Sequence, residues 1–416
     1  MPRLFKWIIV GVAAFLVVLA GLTAALWLAT RDTPSGALDT DLSDVTVTTA
    51  AKPPVRPEPH ENVGDRLCWE EFGGNPQRSL ARADTDLGLP ARQPLWNRVL
   101  DDYMEFPPSY CDGTLYVNTL NGATWAVNAQ TGKVRWRHFI AGSKPSTPAI
   151  DGPRVIVASK AGTVTALDRE SGKLVWRIET GSGVESSPVV VDGLVYFGSH
   201  DGHLFAVHSG TGRIKWAYNT GGRINASPSL YGRRVCVTTY SGSIFCLDKD
   251  TGTKFWSTYV KRDAFRYESF YSSPSTDGRR LYTISRSGRV VAVDARTGDV
   301  LWTYGIGGWG YATPAVTDGR VLIGGFDGYL RAFDPVTGNE LWRTDVGGKI
   351  IGSPVVVGDF VFVSTLDQRT FALRVADGRI SWRIPMGKYT PVIATERTYF
   401  FSLNGRLLAF RGRDVS

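Results

Sequence analysis

Between residues 186 and 219 the chain reads as four short segments, SSPVVVDG, LVYFGSHDG, HLFAVHSGTG and RIKWAYNT, in which apolar and polar positions alternate. Period-two alternation predicts half-buried strands, and the Gly-bearing punctuation between the segments predicts tight turns. Four strands of about five residues joined by such turns make an antiparallel meander. The third turn carries Thr211-Gly212, where glycine adopts positive φ without steric cost.

This unit recurs. Trp136, Trp176, Trp216, Trp256, Trp302, Trp342 and Trp382 are spaced by 40, 40, 40, 46, 40 and 40 residues. Five residues before each begins a small-polar plus Gly pair: Thr131-Gly132, Ser171-Gly172, Thr211-Gly212, Thr251-Gly252, Thr297-Gly298, Thr337-Gly338 and Asp377-Gly378. Ten residues before each Trp stands Ala126, Ala166, Ala206, Cys246, Ala292, Ala332 or Ala372, and twelve after most of them stands Pro148, Pro188, Pro228, Pro314 or Pro354. A four-stranded meander with a period of about 40–45 residues is a propeller blade. Asp168, Asp248, Asp294 and Asp334 are placed to accept bonds from the backbone N–H groups of the following turn.

The ends of the repeat fix its number. Trp96 lies 40 residues before Trp136 but lacks the Thr-Gly pair and the small residue, whereas Ala409 has no Trp after it before Ser416. The expectation is an all-β, eight-bladed β-propeller over 68–416, in which residues 93–100 complete the blade begun by 389–411. Closure of that kind removes an exposed sheet edge.

The pattern Ala166, Asp168, Ser171, Gly172, Lys173, Trp176 resembles the tryptophan-docking motif of the pyrroloquinoline quinone (PQQ)-type propellers, a superfamily that includes quinoprotein dehydrogenases and BamB-type scaffolds. Trp69-Glu70-Glu71-Phe72-Gly73-Gly74-Asn75-Pro76-Gln77-Arg78 resembles the lead-in to their first blade. The resemblance implies the fold; it does not choose among the functions that the fold hosts. For a working dehydrogenase it implies a calcium-and-quinone centre on the ring axis, with a vicinal Cys-Cys disulfide, carboxylate and Asn ligands and an Asp base. The sequence has no Cys-Cys pair and no C-x-x-C-H haem attachment, so no cofactor is expected and PQQ with calcium is kept for the alternative reading.

Trp7 to Ala29 holds 23 consecutive residues without a charge, long enough to span the hydrocarbon core of a bilayer as a helix. Arg3 and Lys6 precede it, which predicts a cytoplasmic N-terminus. The run exceeds a signal-peptide core and ends Trp27-Leu28-Ala29-Thr30, a poor fit to a cleavage site. Residues 1–30 are therefore expected to be an uncleaved, single-pass signal anchor in the cell membrane. Pro34, Pro53, Pro54, Pro57 and Pro59 make 31–67 read as an extended extracytoplasmic tether.

Charge adds little: 47 basic residues face 39 acidic ones, without a basic run or any nucleic-acid-binding motif, so nucleic acid is not an expected partner. Gly305-Ile306-Gly307-Gly308-Trp309-Gly310 satisfies G-x-G-x-x-G, but a strand start follows it where a dinucleotide fingerprint needs a helix. His200 and His203 can meet across a turn while His208 points elsewhere; two His are too few for a zinc site, and no metal is expected. Four Cys in an extracytoplasmic domain permit two disulfides. Cys236 and Cys246 flank a hairpin turn around Ser241-Gly242, within bridging reach if directly opposed. Cys68 and Cys111 remain, and pairing them would pin the lead-in to blade one; four free buried thiols are the alternative.

The period breaks once. Six extra residues between Trp256 and Pro274 create a loop whose Lys261, Arg262, Phe265, Arg266, Tyr267, Phe270 and Tyr271 combine aromatic and cationic side chains, the types that anchor interfaces. With Trp309, they form the candidate partner-binding surface, on the face carrying Lys144, Lys160, His200, Arg223, Tyr240, Arg286, Phe326, Lys349 and Tyr389. The expected function is a membrane-anchored, non-catalytic binding or scaffold domain for envelope proteins or cell-surface ligands. The alternative is a PQQ- and calcium-dependent alcohol or sugar dehydrogenase with an atypical site. Trp96, Trp136, Trp176, Trp216, Trp256, Trp302, Trp342 and Trp382 are expected to dock blades, not ligands.

Overall fold

The computed structural model describes residues 37–39, 42–49, 68–82, 85, 87–143, 145–317, 319–389 and 392–414. The expected anchor at Trp7–Ala29 and most of the tether lie outside the described residues. Among the described residues there is no helix, and therefore none long and apolar enough to cross a membrane.

Eight sheets, each built on an antiparallel meander, follow one another along the described residues; Ala81–Arg82 of the lead-in adds a parallel strand to the inner edge of one. Blades one to seven span 109–139, 149–179, 189–219, 229–259, 275–305, 315–345 and 355–384. Blade eight combines Val392–Ala394, Thr398–Leu403 and Arg406–Asp414 with the early strand Trp96–Val99. In that closure Ala409 stands opposite Trp96, just as Ala166 stands opposite Trp176 and Ala206 opposite Trp216. The sheet edge left open by the last repeat is filled by the first, as the repeat arithmetic predicts.

The indoles explain how neighbouring blades hold together. Trp96 Nε1 donates to the Ala129 carbonyl at 2.9 Å, Trp136 to Arg169 at 2.9 Å, Trp176 to Ser209 at 2.7 Å and Trp216 to Lys249 at 3.0 Å. Trp256, Trp302 and Trp342 donate to Ala295, Pro335 and Val375 at 3.2, 3.1 and 3.0 Å. Each acceptor belongs to the next blade. The indole face also lies against that blade's turn glycine: a Cβ on Gly172 would meet Trp136 at 2.7 Å, and one on Gly132 would meet Trp96 at 2.7 Å. Gly172 has φ of 68°, so the turn needs glycine for both its backbone and its neighbour. Trp382 packs instead on Phe401, with ring centroids 5.7 Å apart.

Within each blade the first strand is innermost, since first strands of neighbouring blades approach one another. A hydroxyl belt ties them together at the residue preceding the inner proline. Thr147 N–H donates to Ser187 Oγ at 3.1 Å, Ser187 N–H to Ser227 Oγ at 2.9 Å and Ser227 N–H to Ser273 Oγ at 2.8 Å.

The lead-in segment circles the same axis. The Ile150, Leu230, Thr276, Val316 and Val356 N–H groups donate to the carbonyls of Glu70, Pro76, Gln77, Ser79 and Leu80 at 2.8–3.1 Å. At blade three a carboxylate takes the place of a carbonyl: Val190 N–H donates to Glu71 Oε2 at 3.2 Å. Arg78, fully buried, spends its guanidinium on the carbonyls of Phe72, Pro228 and Ser187. Burial pushes the Glu71 carboxyl up to about 7 despite Arg78.

Two pieces of the expected tether behave differently from a free linker. Thr46–Thr49 pairs with the outer strand of blade two and Ala37–Leu38 with that of blade three. An extended segment satisfies its backbone by extending a sheet whose edge is otherwise open.

Candidate functional site

The loops entering the inner strands converge on the axis. Three residues before the inner proline of each blade stand Glu105, Pro145, Glu185, Asn225, Tyr271, Tyr311, Ile351 and Lys388. Five of these (Glu105, Asn225, Tyr271, Tyr311, Ile351) line an axial cavity of about 320 Å³, together with Phe72, Phe106 and Tyr389. Phe72 meets Phe106 edge-on at 5.2 Å.

Glu185 organises the wall. Its Oε2 accepts from Asn225 Nδ2 at 2.5 Å and from the Tyr271 hydroxyl at 2.6 Å, while Lys160 Nζ lies 2.9 Å from Oε1. His200 and Arg223 approach the same oxygen at 3.6 and 3.8 Å. Burial opposes ionisation of Glu185, but the bonds from Tyr271, Lys160 and Asn225 outweigh it and hold the carboxyl below its usual range. Burial pushes the Glu105 carboxyl the other way, upward, with Lys160 and Lys388 only partly opposing. Burial and then Arg223 hold His200 below the ordinary imidazole range.

An aromatic run leads outward from this cavity. Tyr271 meets Tyr311 at 5.5 Å, Tyr311 meets Phe326 at 5.8 Å, and Phe326 meets Trp309 at 5.8 Å. Lys349 stands over Phe326 at 5.6 Å and Arg286 over Tyr240 at 5.0 Å. Trp309 is 55% exposed. Of the sequence candidates, the structure thus joins Tyr271 to Trp309 through Tyr311.

The inserted loop makes a separate projection. Lys261 bridges Tyr267, and Arg262 N–H donates to the Arg266 carbonyl at 2.8 Å. Asp263 accepts from the Phe265 and Arg266 N–H groups at 2.9 Å each, closing a turn that presents Phe265 at 70% exposure. Tyr267 packs on Tyr259 at 5.4 Å. Phe270 corrects the expectation of a partner contact: it is fully buried among Cys236, Ile244 and Val291, bridged to Ser285, because the loop must re-enter the core there. Tyr271 faces the axis, and Lys144 lies outside the described residues.

Cys68 is disulfide-bonded to Cys111, and Cys236 to Cys246, the latter directly opposed across the hairpin. His200 and His203 do not share a site. His203 Nε2 lies 2.6 Å from Asp39 and its Nδ1 3.0 Å from Asp201. Among the described residues one group of metal-type donors lies close together, Cys68, Cys111 and Asp112, and its sulfurs are already joined. At the axis, calcium would need six to eight oxygens, whereas both Glu185 oxygens are engaged and Lys160 would have to leave. These residues do not fit a calcium-quinone centre, and no oxidation step follows from them.

Of the axial residues the sequence singles out Tyr271 and Tyr389 but not Glu105, Glu185, Asn225 or Tyr311, although the proline register that marks these positions is legible. Glu71 and Arg78 lay in a segment noted only for its resemblance.

The architecture defines an eight-bladed propeller of PQQ-like repeats. The chain belongs to the family described as outer membrane protein assembly factor BamB, whose profile matches residues 141–308 and 241–414. No curated protein matches it in sequence. Among solved structures it is similar to BamB from Moraxella catarrhalis, at 20% identity and a TM-score of 0.66, covering 77% of this chain and 99% of that one. A europium-containing methanol dehydrogenase is similar at 13% identity and a TM-score of 0.69, covering 83% and 98%. The quinohemoprotein alcohol dehydrogenase of Comamonas testosteroni is similar at 16% identity and a TM-score of 0.70, covering 85% and 82%. Likenesses at such identities describe the fold alone.

Proposed function

We propose that this protein is a non-catalytic scaffold that binds envelope proteins through the loop face, held at the cell membrane by a helix over Trp7–Ala29 with the propeller outside the cytoplasm. The observation that carries the reading is the exposed aromatic and cationic surface of Trp309, Phe326 and Lys349, flanked by the Phe265 turn. Exposed aromatic rings beside cations supply interface anchors, and the engaged donors at Glu185 disfavour redox chemistry at the axis. Membership of the BamB family supports a protein partner.

A photocrosslinker placed at Phe265 or Trp309 in intact cells tests the reading. A discrete envelope-protein adduct from these positions, absent from the outer-strand position Ile380, is expected. Adducts identical at all three positions, or none at the loop face, contradict it.

A further inference from the structure

The axial cavity offers acceptors to whatever enters it. Asn225 is 6% exposed, and its amide nitrogen is spent on Glu185. Its Oδ1 is buried without a partner, a state that buried polar atoms rarely keep. Glu105 makes no hydrogen bond among the described residues and faces Lys160 and Lys388 only at a distance. Those two cations are already occupied: Lys160 sits 2.9 Å from Glu185, and Lys388 lies over the Tyr389 ring at 5.4 Å. The remaining walls mix the rings of Phe72, Phe106, Tyr271, Tyr311 and Tyr389 with Ser and Thr residues.

One chemical group suits the free acceptors and the aromatic rings together. An ammonium ion gives N–H donors to Asn225 Oδ1, a counter-charge to Glu105, and a positive centre to the π faces. We propose that the axial cavity binds a primary ammonium ion carried on a small aromatic or apolar body, with Glu105 and Asn225 holding the ammonium and Tyr271, Tyr311 and Tyr389 enclosing the body. The volume of about 320 Å³ is that of a small-molecule site. A bound cation would also oppose, through its charge, the upward shift that burial gives the Glu105 carboxyl. The partner surface proposed above lies at the rim, so either reading stands without the other.

Calorimetric titration of the full chain in detergent, at about pH 8 where free carboxyls are ionised and amines are not yet neutral, tests the assignment. The probes are phenethylamine, 2-phenylethanol and phenylacetate, which share a body and differ in charge. Saturable binding of phenethylamine alone is expected. Glu105→Gln should weaken it about tenfold or more, since hydrogen bonds to charged groups are the strong ones, and Tyr311→Leu should weaken it roughly fivefold. Absent binding, equal binding of the alcohol, or tighter binding of phenylacetate overturns the proposal. So does unchanged affinity in a folded Glu105→Gln protein; should that variant fail to fold, unchanged affinity in Tyr311→Leu does the same.

Discussion

The outer girdle and the axial ring are built from the same repeat and obey the same spacing, yet they use it in opposite ways. In the girdle, Trp96 through Trp342 keep one identity because each repeats one task, laying an indole on the next blade's turn and bonding its carbonyl. At the axis, the equivalent positions read Glu105, Pro145, Glu185, Asn225, Tyr271, Tyr311, Ile351 and Lys388. Uniform residues at a repeated position mark what every blade needs to pack. Mixed residues mark a surface that the packing does not dictate, and the carboxylates, amide and phenols gather there.

Breaking the girdle should have the largest effect. Trp176 is fully buried, and Trp176→Ala should cost about 3–5 kcal/mol, read as a lowered melting temperature of the full chain. Trp96→Ala should lower it at least as much as Trp216→Ala, because Trp96 holds blade eight to blade one. A wild-type melt for Trp96→Ala alongside a collapse of Trp216→Ala would remove the closure from the account.

The axial lead-in should reveal itself through pH. With the folded Glu71 carboxyl at about 7 and its ordinary value at 4.5, the native state binds the proton more tightly than the unfolded chain does. The stability from neutral Glu71 is fully present below 4.5 and is lost as pH rises through 7, at most about 3 kcal/mol. Denaturant unfolding across that window should decline more steeply for wild type than for Glu71→Gln; parallel curves would show that Glu71 titrates normally.

A smaller loss is expected at the turn. Gly172→Ala would place a methyl against Trp136 at positive φ and should cost roughly 1–3 kcal/mol, measured by the same unfolding. Gly152, also at positive φ but with nothing within 4 Å of a Cβ, separates backbone strain from the clash: its alanine variant should lose less.

Much of the ring was legible because packing demands recur every blade. The Trp spacing, the small residue opposite each indole, the Asp-capped turns and the completion by Trp96–Val99 all follow from periodicity. The axial site was less legible for the converse reason: Glu105, Glu185 and Asn225 share no residue type, and their proximity arises only when eight chain-distant loops meet. The tether shows a different limit. Its composition reads as extended, and Ala37–Leu38 and Thr46–Thr49 are extended, but pairing with blades three and two depends on open edges that no local pattern announces. Phe270 was misread because an aromatic residue in an inserted loop looks the same whether it projects or turns back into the core.

The division of labour between girdle and loop face is tested most directly by the yield of the Phe265 crosslinked envelope adduct per folded molecule, compared in Trp176→Ala and Trp309→Ala. Trp176→Ala should retain the adduct at temperatures below its lowered melt. Trp309→Ala, whose stability should stay within about 0.5 kcal/mol of wild type, should lose most of it. Retention of the full adduct by Trp309→Ala, or its loss from folded Trp176→Ala, would contradict the separation of packing from binding.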